Sequence, residues 1–343
     1  MKKTLILLFC LLFLIACNKK EDPEKENPPV IVRKDSEELL SYGNTLVNIN
    51  GDIKAVETKD YVYYVFQKNT ILRVRREDPT DIQLIYENDQ EITNIVYYDN
   101  TLFFIEKDAE HFNAQLASLD LETKEKEIFF SVDSFDNILV LYEEKLYYVN
   151  EDSFMERCDL SGEDSRLFGL TLVIHPAFDG AFFYASGYEA TASDDRIRVF
   201  KTDIKTDTST VFYDKTTATL VVPNPYGFVI FENSGAQYVF YTTDLNGTDI
   251  QEQENYLSHP FTKVVKGNYY GVYAEENTYY EYNPETKVLT IATEKDENYA
   301  TWKIYALGVP TEEFVLFETN DMKLYYYNYY TKEIIEIYPA TEK

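Results

Sequence analysis

His111, His175 and His259 are the only imidazoles in the sequence, set against 60 Asp and Glu residues. General-base chemistry by histidine thus has few candidates, and carboxylate chemistry has too many. His111 stands in the polar stretch "EKDAEHFNAQ", while His175 and His259 each precede a proline, which simplest physics reads as extended backbone entering a strand. Zinc is offered no His-x-x-x-His pair and no cysteine cluster. There is no Gly-x-Ser-x-Gly elbow, no phosphate loop and no dinucleotide fingerprint, so no cofactor is expected. A Ser-His-Asp set assembled from distant segments has no nominated serine. The stretch "DLNGTDI" (244–250) puts Asp244, Asn246 and Asp249 around Gly247, as part of a calcium loop would. The full twelve-residue pattern with its terminal Glu is missing, a hairpin turn accounts for the same residues, and no metal site is expected. Glycoside hydrolysis needs two carboxyl groups at a set separation, and the sequence selects no two.

The charge excludes more than it nominates. With 32 Lys and Arg the formal net charge is −28, and loss of Lys2 and Lys3 with an export signal brings it near −30. Nucleic acid is bound through Lys and Arg contacts to phosphate, so it is excluded as a partner. Anionic headgroups and other polyanions are repelled too, and cationic partners or divalent ions remain open. The chain opens with two lysines and an apolar run (5–14) too short to span a bilayer as a stable helix. "LIAC" follows, and it resembles the lipobox of bacterial lipoproteins, with Ile15 a less usual occupant. The resemblance implies a signal peptide over 1–16 and Cys17 as the acylated first residue, with palmitate-type chains. One acyl chain anchors only marginally, and several anchor stably. Residues 17–41 then read as a charged, Pro-bearing tether without apolar periodicity. Cys10 leaves with the signal and Cys17 takes the lipid, so Cys158 has no disulfide partner and reads as a small half-buried apolar residue on a strand.

The elements that must position any site are legible as a repeat. "SLDLETKEKEIFFS" (118–131) is two β-prone runs about a polar turn, and its turn recurs. The lead residues are Asp120, Asp159, Asp203, Asp244, Asn283 and Asn328, at steps of 39, 44, 41, 39 and 45. Asp or Asn there bonds the backbone of its own turn, and Thr or Gly suits the bend. A degenerate member, "RREDPTD" (75–81), precedes them. An aromatic-rich run keeps the same period: "YVYYVF", "TLFFIE", "KLYYVN", "AFFYAS", "GFVIFE", "NYYGVY" and "EFVLFE", starting at 61, 101, 145, 181, 227, 268 and 313. A period of 40–50 residues with four strands per unit is the mark of a β-propeller. The fold expected is all-β: a propeller of seven four-stranded blades, six or eight being the alternatives. Blades are expected near 52–88, 92–132, 137–169, 172–214, 218–252, 259–293 and 301–339. Asp99-Asn100, Asp179-Gly180 and Gly267-Asn268 are expected at A–B hairpins, where φ > 0 is tolerated. The paired aromatics of strand B are expected between blades. The first and last blades are expected to close the ring, with 44–49 as an outer strand or plug at that seam.

One segment carries a resemblance to a family. "YGNTLVNINGDIKAVETKDYVYYV" (42–65) is similar to the opening of bacterial surface propellers whose domain is described as like that of the prolow-density lipoprotein receptor-related protein. It implies a propeller over 42–343 and no established activity. Here Thr-Lys or Thr-Asp replaces the glycine expected in many C–D turns. Two functional classes follow. The first is a lipid-anchored binding or scaffolding module on the extracytoplasmic face of a bacterial cell membrane, its partner an envelope protein, peptide or glycan. The second is a secreted hydrolase or lyase acting on glycans or peptides with acids at the channel mouth. Long loops on a rigid scaffold are where binding usually resides. The B–C connections of blade 2 (106–114) and blade 4 (187–195) are the long ones, and they supply His111, Phe112, Tyr188, Asp194 and Asp195, a set suited to a cationic or polyhydroxyl ligand.

Overall fold

The computed structural model describes residues 55–108, 113–133, 138–172, 174–187, 197–214, 219–224, 227–233 and 238–252. Beyond these it describes the strands 263–265, 268–273, 278–283, 288–291, 309–310, 314–318, 323–328 and 334–338. The described residues form 28 strands and no helix. The strands make seven four-stranded antiparallel sheets, and in each the strands are neighbours in sequence order. The sheets span 55–87, 91–132, 139–172, 174–213, 219–252, 263–291 and 309–338. These bounds follow the sequence period within a few residues. The exception is the last sheet, whose described strands start at Val309 rather than near 301, while at the blade 3/blade 4 border strand D runs on to Leu172 and its pairing with strand C shifts between Phe154 and Glu156.

The first strands of successive sheets lie side by side in blades 1–2, 2–3, 4–5 and 6–7, so strand A is innermost and strand D forms the rim. The core is therefore a set of inter-blade layers. Val56, Tyr63 and Val65 of blade 1 pack on Ile92, Leu102 and Phe104 of blade 2. Val96, Phe103 and Ile105 of blade 2 meet Leu139, Tyr148 and Cys158 of blade 3. Further layers join blades 3 and 4 and blades 4 and 5. The ring closes as expected: Leu316, Leu324 and Ile337 of the last blade pack with Ala55, Tyr64 and Leu72 of the first. The contact is apolar packing, and among the described residues no strand is exchanged between those two sheets. Segment 44–49 lies outside the described residues.

The doubled aromatics now have a cause. Successive strand residues point to opposite faces, and a blade inside a ring is buried on both. Tyr63 therefore serves the layer with blade 2 and Tyr64 the layer with blade 7. Phe103 and Phe104 divide in the same way, as do Tyr147 and Tyr148. Rings meet across the layers, as in the Phe130–Tyr148 contact at 4.9 Å, each such pair adding about 1 kcal/mol beyond its buried area.

Turn chemistry sets each blade's register. Asp99 and Asn100 have φ of 40° and 67°, and Glu143 and Glu144 have 46° and 57°, a left-handed pair between paired Tyr98–Thr101 and Tyr142–Lys145. Blade 4 differs from expectation. Only Gly180 is left-handed there, while Asp179 Oδ1 accepts the N–H groups of Ala181 and Phe182 and Oδ2 accepts the Tyr184 hydroxyl at 2.7 Å. The loop is longer because its carboxylate caps it. The expected turn at Gly267 lies outside the described residues.

A second regularity sits on the rim. Strand D carries a bulge in blades 1, 2, 4 and 7. In blades 2 and 4 the bulged aromatic lies on the C–D turn of the next blade. There, a Cβ on Gly162 would come 2.8 Å from Phe129, and one on Gly247 2.4 Å from Phe212, both glycines having positive φ. An exposed outer strand invites pairing with other chains, and a bulge interrupts its ladder.

Candidate binding face

A strand A begins and a strand B ends at one end of the ring, so the B–C and D–A connections share that face. The A–B and C–D hairpins share the other. Sequence bounds of the strands give the B–C connections as 67–69, 108–113, 150–153, 188–197, 234–237, 274–277 and 319–323. Blades 2 and 4 thus carry the two longest, as expected, but with shifted bounds: Glu106, Lys107, Ala114 and Gly187 belong to the flanking strands, and the blade 4 connection runs on to 197. His111, Phe112, Tyr188, Asp194 and Asp195 themselves lie outside the described residues, as does Cys17.

The stems of both loops are described. In blade 2 the Asp108 N–H donates to the Asn113 carbonyl at 3.0 Å, and the Asn113 side chain donates to Asp108 Oδ2 at 2.5 Å. In blade 4 Gly187 pairs with Arg198, whose Nε donates to Asp214 Oδ1 at 3.1 Å. Each loop therefore springs from a fixed neck.

Below the blade 2 neck, Glu106 is a carboxylate that sequence inspection passed over. It ends strand B (Thr101–Lys107) and its side chain is fully buried. Burying a charge is costly unless it is paired and hydrogen-bonded. Glu106 accepts the Tyr86 hydroxyl at 3.0 Å and the Asn88 amide at 2.8 Å, both from blade 1, and Lys126 Nζ at 2.9 Å. Burial opposes the Lys126 charge, but hydrogen bonds to Glu106 and Tyr86 outweigh it and raise its pKa. Blade 5 repeats the device: Glu232, at the matching place in strand B, accepts the Tyr213 hydroxyl of blade 4 at 2.6 Å. In blade 3, Glu156 accepts from Tyr148, Ser165 and Asn150 at 2.8, 2.8 and 2.7 Å. Burial there is again outweighed by the donors, and its pKa is lowered. Signals for these networks were present only as lone acids ending apolar runs. Cys158 is buried in the blade 2–3 layer, deeper than the half-burial expected, and burial pushes its thiol up to about 12.

The hairpin face spends its acids locally. Asp120 Oδ1 accepts the N–H groups of Glu122 and Thr123 at 2.8 and 2.7 Å, and Asp203 Oδ1 those of Lys205 and Thr206 at 2.8 and 2.9 Å. The Thr123 and Thr206 amides are the leading cause of the lowered carboxyl pKa in each. Asp244 accepts the N–H and hydroxyl of Thr248, so "DLNGTDI" is the C–D turn of blade 5. Among the described residues no three His, Cys, Asp or Glu side chains are grouped to hold a metal ion.

Four-stranded antiparallel sheets in a closed ring define the class: the chain is a β-propeller. No protein-family model matches it, and no curated protein matches it. Among solved structures it is similar to the computationally designed Ika8 protein, with TM-score 0.51 and 14% identity over 83% of this chain and 86% of that one. It is also similar to an oligogalacturonate lyase from Vibrio parahaemolyticus, with TM-score 0.50 and 13% identity over 84% and 86%. TolB from Acinetobacter baumannii gives 0.41 at 10% identity, over 81% of this chain and 62% of that one. At such identities the first two likenesses speak to fold alone, and the third carries no argument.

Proposed function

We propose that this propeller is a lipid-anchored binding or scaffolding module held by Cys17 at the extracytoplasmic face of a bacterial membrane, of the kind that the lipoprotein-receptor-like propellers represent. Its partner is an envelope protein, peptide or glycan, met by the B–C loops of blades 2 and 4 through His111, Phe112, Tyr188, Asp194 and Asp195. The observation that supports the reading is the inequality of the B–C connections. Two lengthened loops spring from clamped necks on a face whose buried carboxylates are already engaged. Long loops on a rigid scaffold are where binding usually resides.

A hydrolase or lyase would need carboxyl groups left available to act on substrate. Glu106 and Glu156 each take three donors and do not serve. The test is capture from cell envelopes by the full acylated chain. Replacing Tyr188 and Asp195 by Ala should reduce capture at least tenfold with an unchanged melting temperature. Capture that survives the double variant contradicts the loop assignment.

A further inference from the structure

The chain contains an internal template for a ligand site. In blade 3, Tyr147 of strand B pairs across the sheet with Arg157 of strand C, and both face blade 4. The Arg157 guanidinium, with its side chain 12% exposed, is met by Asp207 of the blade 4 C–D turn at 2.9 Å. It also donates to the Tyr147 hydroxyl at 3.5 Å. In blade 1, Tyr63 pairs with Arg73 in the same way and faces blade 2. Two wedges of one construction can thus be compared residue by residue.

Their turns superpose in hydrogen bonding. In blade 4 the Asp207 N–H donates to the Asp203 carbonyl at 3.0 Å and the Ile204 N–H to the Ala181 carbonyl at 3.1 Å. In blade 2 the Lys124 N–H donates to the Asp120 carbonyl at 3.0 Å and the Leu121 N–H to the Asn100 carbonyl at 2.9 Å. Asp207 and Lys124 are both left-handed, at φ 57° and 64°. Ile204 and Leu121 both reach the apolar layer with the preceding blade. Lys124 therefore stands where Asp207 stands, and the carboxylate that closes the blade 3–4 wedge is replaced by a cation in the blade 1–2 wedge.

Arg73 consequently lacks an acid. Its guanidinium donates to Gln83 Oε1 and lies 4.4 Å from the Tyr61 ring centre, and neither it nor Lys124 forms an ion pair among the described residues. Tyr63 is stacked on Tyr97 of blade 2 at 5.8 Å, which walls the wedge with aromatic surface. Acids are near: Asp81 is taken by Arg75 at 2.5 Å, and Asp60, Glu77, Asp78, Glu122 and Glu125 stand on the adjoining turns. They and the chain's charge of −28 oppose a free anion, so a ligand must gain from charge-assisted bonds to the guanidinium.

We propose that the blade 1–2 wedge binds an acidic peptide segment from another molecule, whose Asp or Glu carboxylate takes on Arg73 the place that Asp207 takes on Arg157. The site lies on the hairpin face and is independent of the B–C loops. A peptide carboxylate is favoured over other anions because the occupant in the sister wedge is an aspartate carried on a hairpin turn.

The test uses the full chain and a cyclic peptide, Asp-Ile-Lys-Thr-Asp-Thr, copied from 203–208, followed by calorimetric titration. The wild type should bind it saturably, and the same peptide with its second Asp changed to Asn at least tenfold more weakly. Arg73→Gln should lose binding to the same degree. Lys124→Asp, an exposed change on a turn that accepts Asp in blade 4, should close the site from within, abolish binding and raise Tm. No binding by the wild type, or full binding by Lys124→Asp, overturns the proposal. Binding of glucuronate but not of the peptide would show a sugar-acid site and overturn it equally.

Discussion

The two faces of the ring use the same acidic residues in different ways. On the hairpin face Asp120, Asp159 and Asp203 are turned back on their own backbone, within two to four residues. Toward the loop face Glu106 and Glu232 are set across a blade boundary, and each takes a tyrosine hydroxyl from the preceding blade. The first use is local and exposed, so it fixes a turn and can recur with every period. The second is long-range, with Glu106 buried and Glu232 half-buried, so it joins particular blades and appears only where the neighbour supplies the donor. Glu106, Glu156 and the turn aspartates are thus engaged, which moves attention to the two lengthened loops.

The largest effect should come from the buried network. Lys126→Met leaves Glu106 buried with only the Tyr86 and Asn88 donors. Breaking a buried pair from one side typically costs about 3–5 kcal/mol, and the surviving donors should hold the loss to roughly 2–3 kcal/mol, several degrees in Tm. Adding Glu106→Gln to that variant should restore most of the stability, because the two sites share one network. Thermal melts check both, and an additive double variant would dissolve the distinction between the faces.

A smaller effect is expected from acid. The turn carboxylates have folded pKa values below the usual carboxylate range. Their contribution is present above the unfolded value, near 3.9 for Asp, and is lost as pH falls through the folded values. Tm should be nearly flat from about pH 7 to 5 and fall below about pH 4. The combined Asp→Asn variant at 120, 159 and 203 should show a shallower acid limb. An unchanged limb would mean that these bonds do not couple to folding.

Much of this architecture was legible in the sequence, and the reasons are physical. A blade cannot bury both faces alone, so its signals must recur at the period of the ring. The seven aromatic runs accordingly mark strand B to within a residue, at Tyr61, Thr101, Lys145, Phe182, Gly227, Asn268 and Phe314. Lead Asp residues mark the C–D turns because an Asx bond is local. What stayed hidden depends on two blades at once. Glu106 looks like any strand-ending acid until Tyr86, 20 residues earlier, is placed beside it. The replacement of Asp207 by Lys124 has meaning only after the turns are aligned in space. The packing of the bulged Phe129 and Phe212 was invisible for a similar reason, since their partners lie on the next blade, at Gly162 and Gly247. The candidate loops were recognised by length alone, and their necks, not their tips, are what the described residues add.

The measurement that bears most directly on the central claim is site-specific photo-crosslinking in intact envelopes. A photoreactive residue would replace Tyr188 in the blade 4 loop or Thr206 on the blade 4 hairpin, in otherwise unchanged chains. If the lengthened loops carry the envelope partner, crosslinked adducts form from position 188 and are largely absent from position 206. Adducts that form from 206 and not from 188 would contradict the account and place that partner on the hairpin face.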